Sequence, residues 1–116
     1  MLRKENFTLN IGLNNSPKNE QQIVESLIYC GINTKDTNLL FRLEVGEYNG
    51  EKEKTLIVKG VTSYKLSTFV KIVEHTCLIT NQQCIATMVS NNKLLIYNET
   101  YRGKKQTFNN KYFLKF

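Results

Sequence analysis

The stretch "NLLFRLEVGEYNGEKEKTLIVKG", residues 38–60, constrains the fold more than any other. Leu39, Phe41, Leu43 and Val45 alternate with Leu40, Arg42 and Glu44, the period of a strand with one apolar face. Asn49-Gly50 accepts the positive φ of a two-residue hairpin turn, and "KTLIVKG" returns with Leu56 and Val58 on one side and Thr55, Ile57 and Lys59 on the other. The spacing predicts an antiparallel hairpin, which needs further strands and a covering layer to be stable.

The flanks supply both. "NFTLNIGL" places Phe7, Leu9, Ile11 and Leu13 on one face and Thr8, Asn10 and Gly12 on the other, so it reads as a first strand. Ser16 as N-cap and Pro17 at the first helical position predict a helix through Cys30, with Ile23, Val24, Leu27 and Ile28 as its apolar stripe. Gly31 suits a left-handed C-cap, with Ile32 folding back on Leu27. Thr62 or Ser63 can cap a second helix to about Leu78 or Ile79, buried through Leu66, Phe69, Val70, Val73 and Cys77. "CIATMV" and "KLLIYN" read as strands, and Tyr112, Leu114 and Phe116 alternate as a last one.

The order β-α-β-β-α-β predicts an α+β fold, a ferredoxin-like sandwich with two helices on one face of an antiparallel sheet. A C-terminal β-hairpin is added to it. The 116 residues suit a single domain, with residues 1–90 as the βαββαβ core and 91–116 as the hairpin extension.

Charge is uneven. Residues 1–60 hold eight Lys/Arg and eight Asp/Glu, whereas residues 61–116 hold eight Lys/Arg against Glu74 and Glu99, which gives the whole formal +6. The basic residues Arg102, Lys104, Lys105, Lys111 and Lys115 interleave with aromatics, Tyr101 and Tyr112 among them. Such a set suits a polyanion or single-stranded nucleic acid, and equally a solvated hairpin tip.

Enzyme motifs are scarce. "VEHTCLITNQQC" carries the one histidine, but His75 and Cys77 are two apart on a helix and face different sides, so they do not share a metal ion. Cys77 continues the apolar stripe and His75 turns to solvent. Cys30 and Cys77 sit near helix C-termini, where the helix dipole disfavours a thiolate. The pairs Glu44/Glu47 and Glu51/Glu53 read as solvated hairpin charges beside Lys52 and Lys54. Phosphate-binding glycine loops and the aromatic pair of an RNA-recognition sheet are missing.

No metal, cofactor or catalytic set is therefore expected. The sequence reading is a small non-enzymatic binding protein, of the kind a phage or mobile element encodes to inhibit a host defence complex, acting through Tyr101, Arg102, Lys104, Lys105, Lys111, Tyr112 and Lys115. The abundance of Asn, Lys and Ile, as AT-rich genes encode, supports that source. The expected partner is a protein with an acidic or nucleic-acid-binding surface. Direct nucleic-acid binding is one alternative. Another is a small-molecule-binding protein or enzyme with a pocket on the open sheet face, using Asn10, Arg42 and Lys59. An uncovered sheet or edge strand also invites a homodimer. No apolar run approaches the roughly 18 residues of a membrane span and the start has no apolar signal region, so a cytoplasmic location with reduced thiols is expected.

Overall fold

The computed structural model describes residues 4–14, 16–32, 39–101, 103 and 106–116. Its elements are β1 (Glu5–Gly12), α1 (Glu20–Tyr29), β2 (Leu40–Tyr48), β3 (Glu51–Thr62), α2 (Leu66–Ile79), β4 (Cys84–Val89) and β5 (Asn92–Tyr97), followed by short 3-10 turns at Glu99–Tyr101 and Asn110–Tyr112. The chain is α+β, with two helices and one five-stranded sheet of order β2-β3-β1-β4-β5. Every neighbouring pair in that sheet is antiparallel. Among the described residues no helix is long and apolar enough to cross a membrane.

The predicted hairpin is present. Asn49 and Gly50 take φ of 52° and 81°, both positive as a type I′ turn requires, and nine residue pairs run in register from Leu40↔Lys59 to Tyr48↔Glu51. The core lies on one face of the sheet. Phe7, Leu9 and Ile11 of β1, Leu56 and Val58 of β3 and Ile85 of β4 meet Ile23 and Leu27 of α1 and Phe69, Val73 and Cys77 of α2 in one buried cluster. Phe7 and Phe69 stack tilted, with ring centroids 5.1 Å apart.

The helix starts differ from the sequence reading. α1 is N-capped by Asn19, whose side chain accepts the Gln22 N–H while the Gln22 side chain accepts the Asn19 N–H, a full capping box. Ser16 instead accepts the Lys18 N–H and donates to the Thr80 carbonyl, pinning the loop to the end of α2. α2 starts after Lys65 with no side-chain cap, because the Thr62 hydroxyl is used by the Tyr64 N–H in the turn before it. Leu66 and Ile28 belong to the predicted stripes but are exposed.

Both helix ends follow one pattern. Gly31 is left-handed at φ 92°, its N–H donates to Ile28 O and the Ile32 N–H donates to Leu27 O. After α2, Asn81 takes the same role at φ 55°, with Asn81 N–H to Leu78 O and Gln82 N–H to Cys77 O. These double bonds satisfy the last helical carbonyls and fix the exit direction of the chain. The second one aims Gln82, Gln83 and Cys84 at the far side of the sheet.

Two further expectations are corrected. Phe41, Leu43 and Val45 are exposed, because β2 is an edge strand lying beyond the cover of both helices. The C-terminal extension is no hairpin of its own: β5 pairs with β4 in the main sheet, and the described residues after it contain no strand. The alternation at Tyr112, Leu114 and Phe116 reflects something else. The chain crosses the face opposite the helices, which therefore is not open. The Leu114 N–H donates to Asn10 Oδ1 at 2.9 Å, and Arg42 donates to the Lys115 carbonyl. Arg42 and Lys59 lie over the Phe116 ring at 5.0 and 5.5 Å. This covering segment explains why Ile57, on the polar face by register, is fully buried.

Candidate functional site

Where the covering segment leaves the sheet, a cavity of about 190 Å³ remains. Asn10 and Gly12 of β1, Tyr48 of β2, Glu53 and Thr55 of β3 and Cys84 and Ala86 of β4 form its floor. Its walls are Gln82 and Gln83 from the end of α2, Tyr101, and Lys111, Tyr112 and Leu114 of the C-terminal segment.

Three features make this site chemically distinct. First, two buried amide groups lack partners. Asn10 is 5% exposed and Gln82 7%, and neither Asn10 Nδ2 nor Gln82 Nε2 has a hydrogen-bond acceptor. The Asn10 orientation is fixed, since its oxygen receives the Leu114 N–H. A buried donor without an acceptor costs about 1–3 kcal/mol, so an arriving acceptor regains that.

Second, Glu53 presents a carboxylate at the floor. Burial raises its pKa above the usual carboxylate range, opposed by the Asn14 N–H that donates to Oε2 at 3.3 Å. Gly12 makes the room for it, because a Cβ there would collide with the Glu53 carboxyl group. Third, two tyrosine rings line the same cavity as the carboxylate. Tyr48 and Tyr112 lie 5.6 Å apart between centroids, and the Tyr48 hydroxyl donates to Gln83 Oε1 at 2.9 Å. Burial pushes the Tyr48 phenol up, with Cys84 and Tyr112 adding to it, so it is a neutral donor at any ordinary pH.

Cys84 sits where the thiolate, the reactive form, is disfavoured. Burial pushes its thiol up to about 11, opposed by its hydrogen bond with Tyr48. Iodoacetamide is expected to alkylate Cys84 slowly at about pH 8 and to speed up only as pH approaches that value, because the thiolate is the reactive form. Peptide mass spectrometry across a pH series checks this, and rapid labelling at neutral pH contradicts it.

Of the residues singled out in the sequence, Tyr101, Lys111 and Tyr112 line the cavity. Lys115 contributes its carbonyl to Arg42, with its side chain exposed. Arg102, Lys104 and Lys105 lie outside the described residues. From the set Asn10, Arg42 and Lys59, Asn10 alone reaches the cavity, since Phe116 engages the other two. Cys77 is buried and its thiol donates to Ile96 O, while His75 is exposed on the opposite layer. Glu53, read as a solvated hairpin charge, is half-buried at the cavity floor. The register with Gly12 across β1 and β3 was the available signal, because strand residues two apart share a face.

No protein-family model and no curated protein matches the chain. Solved structures do. A phage SAM lyase in the apo state aligns with TM-score 0.55 and 13% identity over 80% of this chain and 88% of the other. A phage SAM lyase in complex with S-methyl-5'-thioadenosine aligns with TM-score 0.55 and 11% identity over 84% and 92%. At that identity the likeness is one of fold. It nevertheless corrects the expectation of a non-enzymatic binding protein that inhibits a host complex, because the matching structures are those of an enzyme. A cavity lined by amides, phenols and one carboxylate carries no spacing signature in the sequence.

Proposed function

We propose that this protein is an enzyme that binds S-adenosylmethionine in the cavity between the sheet and the C-terminal segment and cleaves it to S-methyl-5'-thioadenosine. The observation that carries the reading is the pairing of the Glu53 carboxylate and the Tyr48 and Tyr112 rings with two unpartnered amide donors in one cavity, on a fold resembling a SAM lyase. A sulfonium is a permanent cation, and a carboxylate with aromatic faces is the neighbourhood it favours. The Asn10 and Gln82 amides suit the acceptor atoms of the nucleoside. Lys111 at the rim suits the ligand carboxylate. The cavity of about 190 Å³ is below the roughly 300–1,000 Å³ of typical ligand pockets, so it takes one part of the molecule while the rest lies across the rim.

In the cleavage, the bond from sulfur to the amino-acid arm breaks and both its electrons stay on sulfur. The ligand's own carboxylate can fill the vacated carbon, forming a C–O bond as the C–S bond breaks, and no protein base then has to act. The sulfonium and carboxylate charges cancel as the bonds exchange, while the ammonium group keeps its charge, and a step of that kind gains from a site with little water. The strand order, with β3 between β2 and β1 and β4 beyond β1, also supports the finer reading of the fold as ferredoxin-like with one added edge strand.

Titration calorimetry with S-adenosylmethionine and with S-methyl-5'-thioadenosine tests the binding half. Both are expected to bind, and Asn10→Leu is expected to weaken both, roughly tenfold, since it removes the shared nucleoside contact. Failure of either ligand to bind a folded protein contradicts the reading.

A further inference from the structure

β2 is an edge strand of nine residues with no proline and no bulge against β3. On the helix side it exposes Phe41, Leu43 and Val45, at 52%, 39% and 69%. On the other side stand Arg42 and Glu44, ion-paired within the chain at 3.2 Å yet each still more than 40% exposed. A long, regular, apolar edge is what folded proteins ordinarily blunt with lysine, proline or a bulge, and among the described residues nothing pairs with its outer side.

The sequence of this edge is self-complementary. We infer that β2 pairs antiparallel with β2 of a second copy of this chain, about a two-fold axis through Leu43. In that register Leu43 faces Leu43 of the other copy and Phe41 faces Val45. Arg42 faces Glu44 and Glu44 faces Arg42, so two opposite-charge pairs form on the polar side. The interface is isologous and closes at two copies. A register one step to either side that keeps the helices on the same face sets Arg42 against Arg42, or Glu44 against Glu44. Like charges directly opposite across strands are destabilising, so the charges select the central register. The result is one ten-stranded sheet whose apolar edges cover each other. Phe41 to Val45, which carry the pairing, do not line the cavity, so the pairing does not rest on the proposed reaction.

Sedimentation of the full chain over a concentration series tests the inference, with circular dichroism confirming that each variant is folded. The wild type is expected to form a dimer. Arg42→Glu and Glu44→Arg are each expected to raise its dissociation constant about tenfold or more, because each sets like charges opposite at two symmetric positions. The double variant carrying both changes restores the complementarity and is expected to return to the wild-type constant. A wild type that stays monomeric, an assembly other than a dimer, single variants that dimerise normally or a double variant that is not rescued overturns the inference.

Discussion

Glu53→Gln is expected to weaken S-adenosylmethionine binding by about tenfold to hundredfold and to leave S-methyl-5'-thioadenosine binding nearly unchanged. A hydrogen bond or contact to a charged group is worth about 1.5–3 kcal/mol, and Glu53 is the half-buried carboxylate at the cavity floor. The sulfonium carries the charge that Glu53 meets; the thioether product carries none. The same logic places the kinetic effect. A carboxylate that holds the cation stabilises the reactant at least as well as a transition state in which that charge is fading, so the change falls on KM and not on kcat.

The pH dependence follows from the direction of the Glu53 shift. Burial raises its pKa, so wild-type binding of the sulfonium is expected to climb as pH rises through that value, while Glu53→Gln shows no such climb. Stability moves the other way. The unfolded chain releases this proton at a lower pH than the folded one, so the Glu53 contribution is fully present below the ordinary carboxylate value. It is lost as pH rises through the raised value. Glu53→Gln is therefore expected to melt higher than wild type near neutral pH and to lose that advantage in acid. Calorimetric titrations and melting curves from about pH 4 to 8 read both effects, and a variant with lower stability and intact sulfonium binding contradicts the assigned role.

Phe69→Ala is expected to cost about 3–5 kcal/mol, the usual range for emptying a buried aromatic site. Phe69 is fully buried, stacks on Phe7 and joins α2 to β1 at the centre of the core. With domain stabilities of about 5–15 kcal/mol, that loss leaves a marginal or unfolded chain. Leu66→Ala, one turn earlier on the same predicted stripe, is expected to stay within about 1 kcal/mol because Leu66 is 51% exposed. Urea denaturation of the two variants compares them, and equal losses contradict the described burial.

The sequence made the elements of the sheet and helices legible because period-two and helical patterns survive without context. Phe7, Leu9 and Ile11 announce a strand, and Asn49-Gly50 announces its turn type, by local chemistry alone. Leu114 and Phe116 show the limit. Their alternation is that of a strand, yet they pack across a sheet face, where Gly46 leaves room for Leu114 and Arg42 reaches the Lys115 carbonyl. Nothing local distinguishes the two arrangements. Phe41, Leu43 and Val45 read as core because an alternating pattern does not say where a strand lies in the sheet. The cavity was hidden for the same reason: Asn10, Tyr48, Glu53 and Gln82 come from β1, β2, β3 and the end of α2, and only tertiary pairing brings them together.

The most direct measurement is chromatography of S-adenosylmethionine incubated with the purified protein, with S-methyl-5'-thioadenosine as the product followed. The account predicts time- and protein-dependent release of the thioether from wild type, with Glu53→Gln slower at low substrate and recovering as substrate is raised. Binding of S-adenosylmethionine with no release of the thioether, or release unaffected by Glu53→Gln at any substrate level, contradicts it.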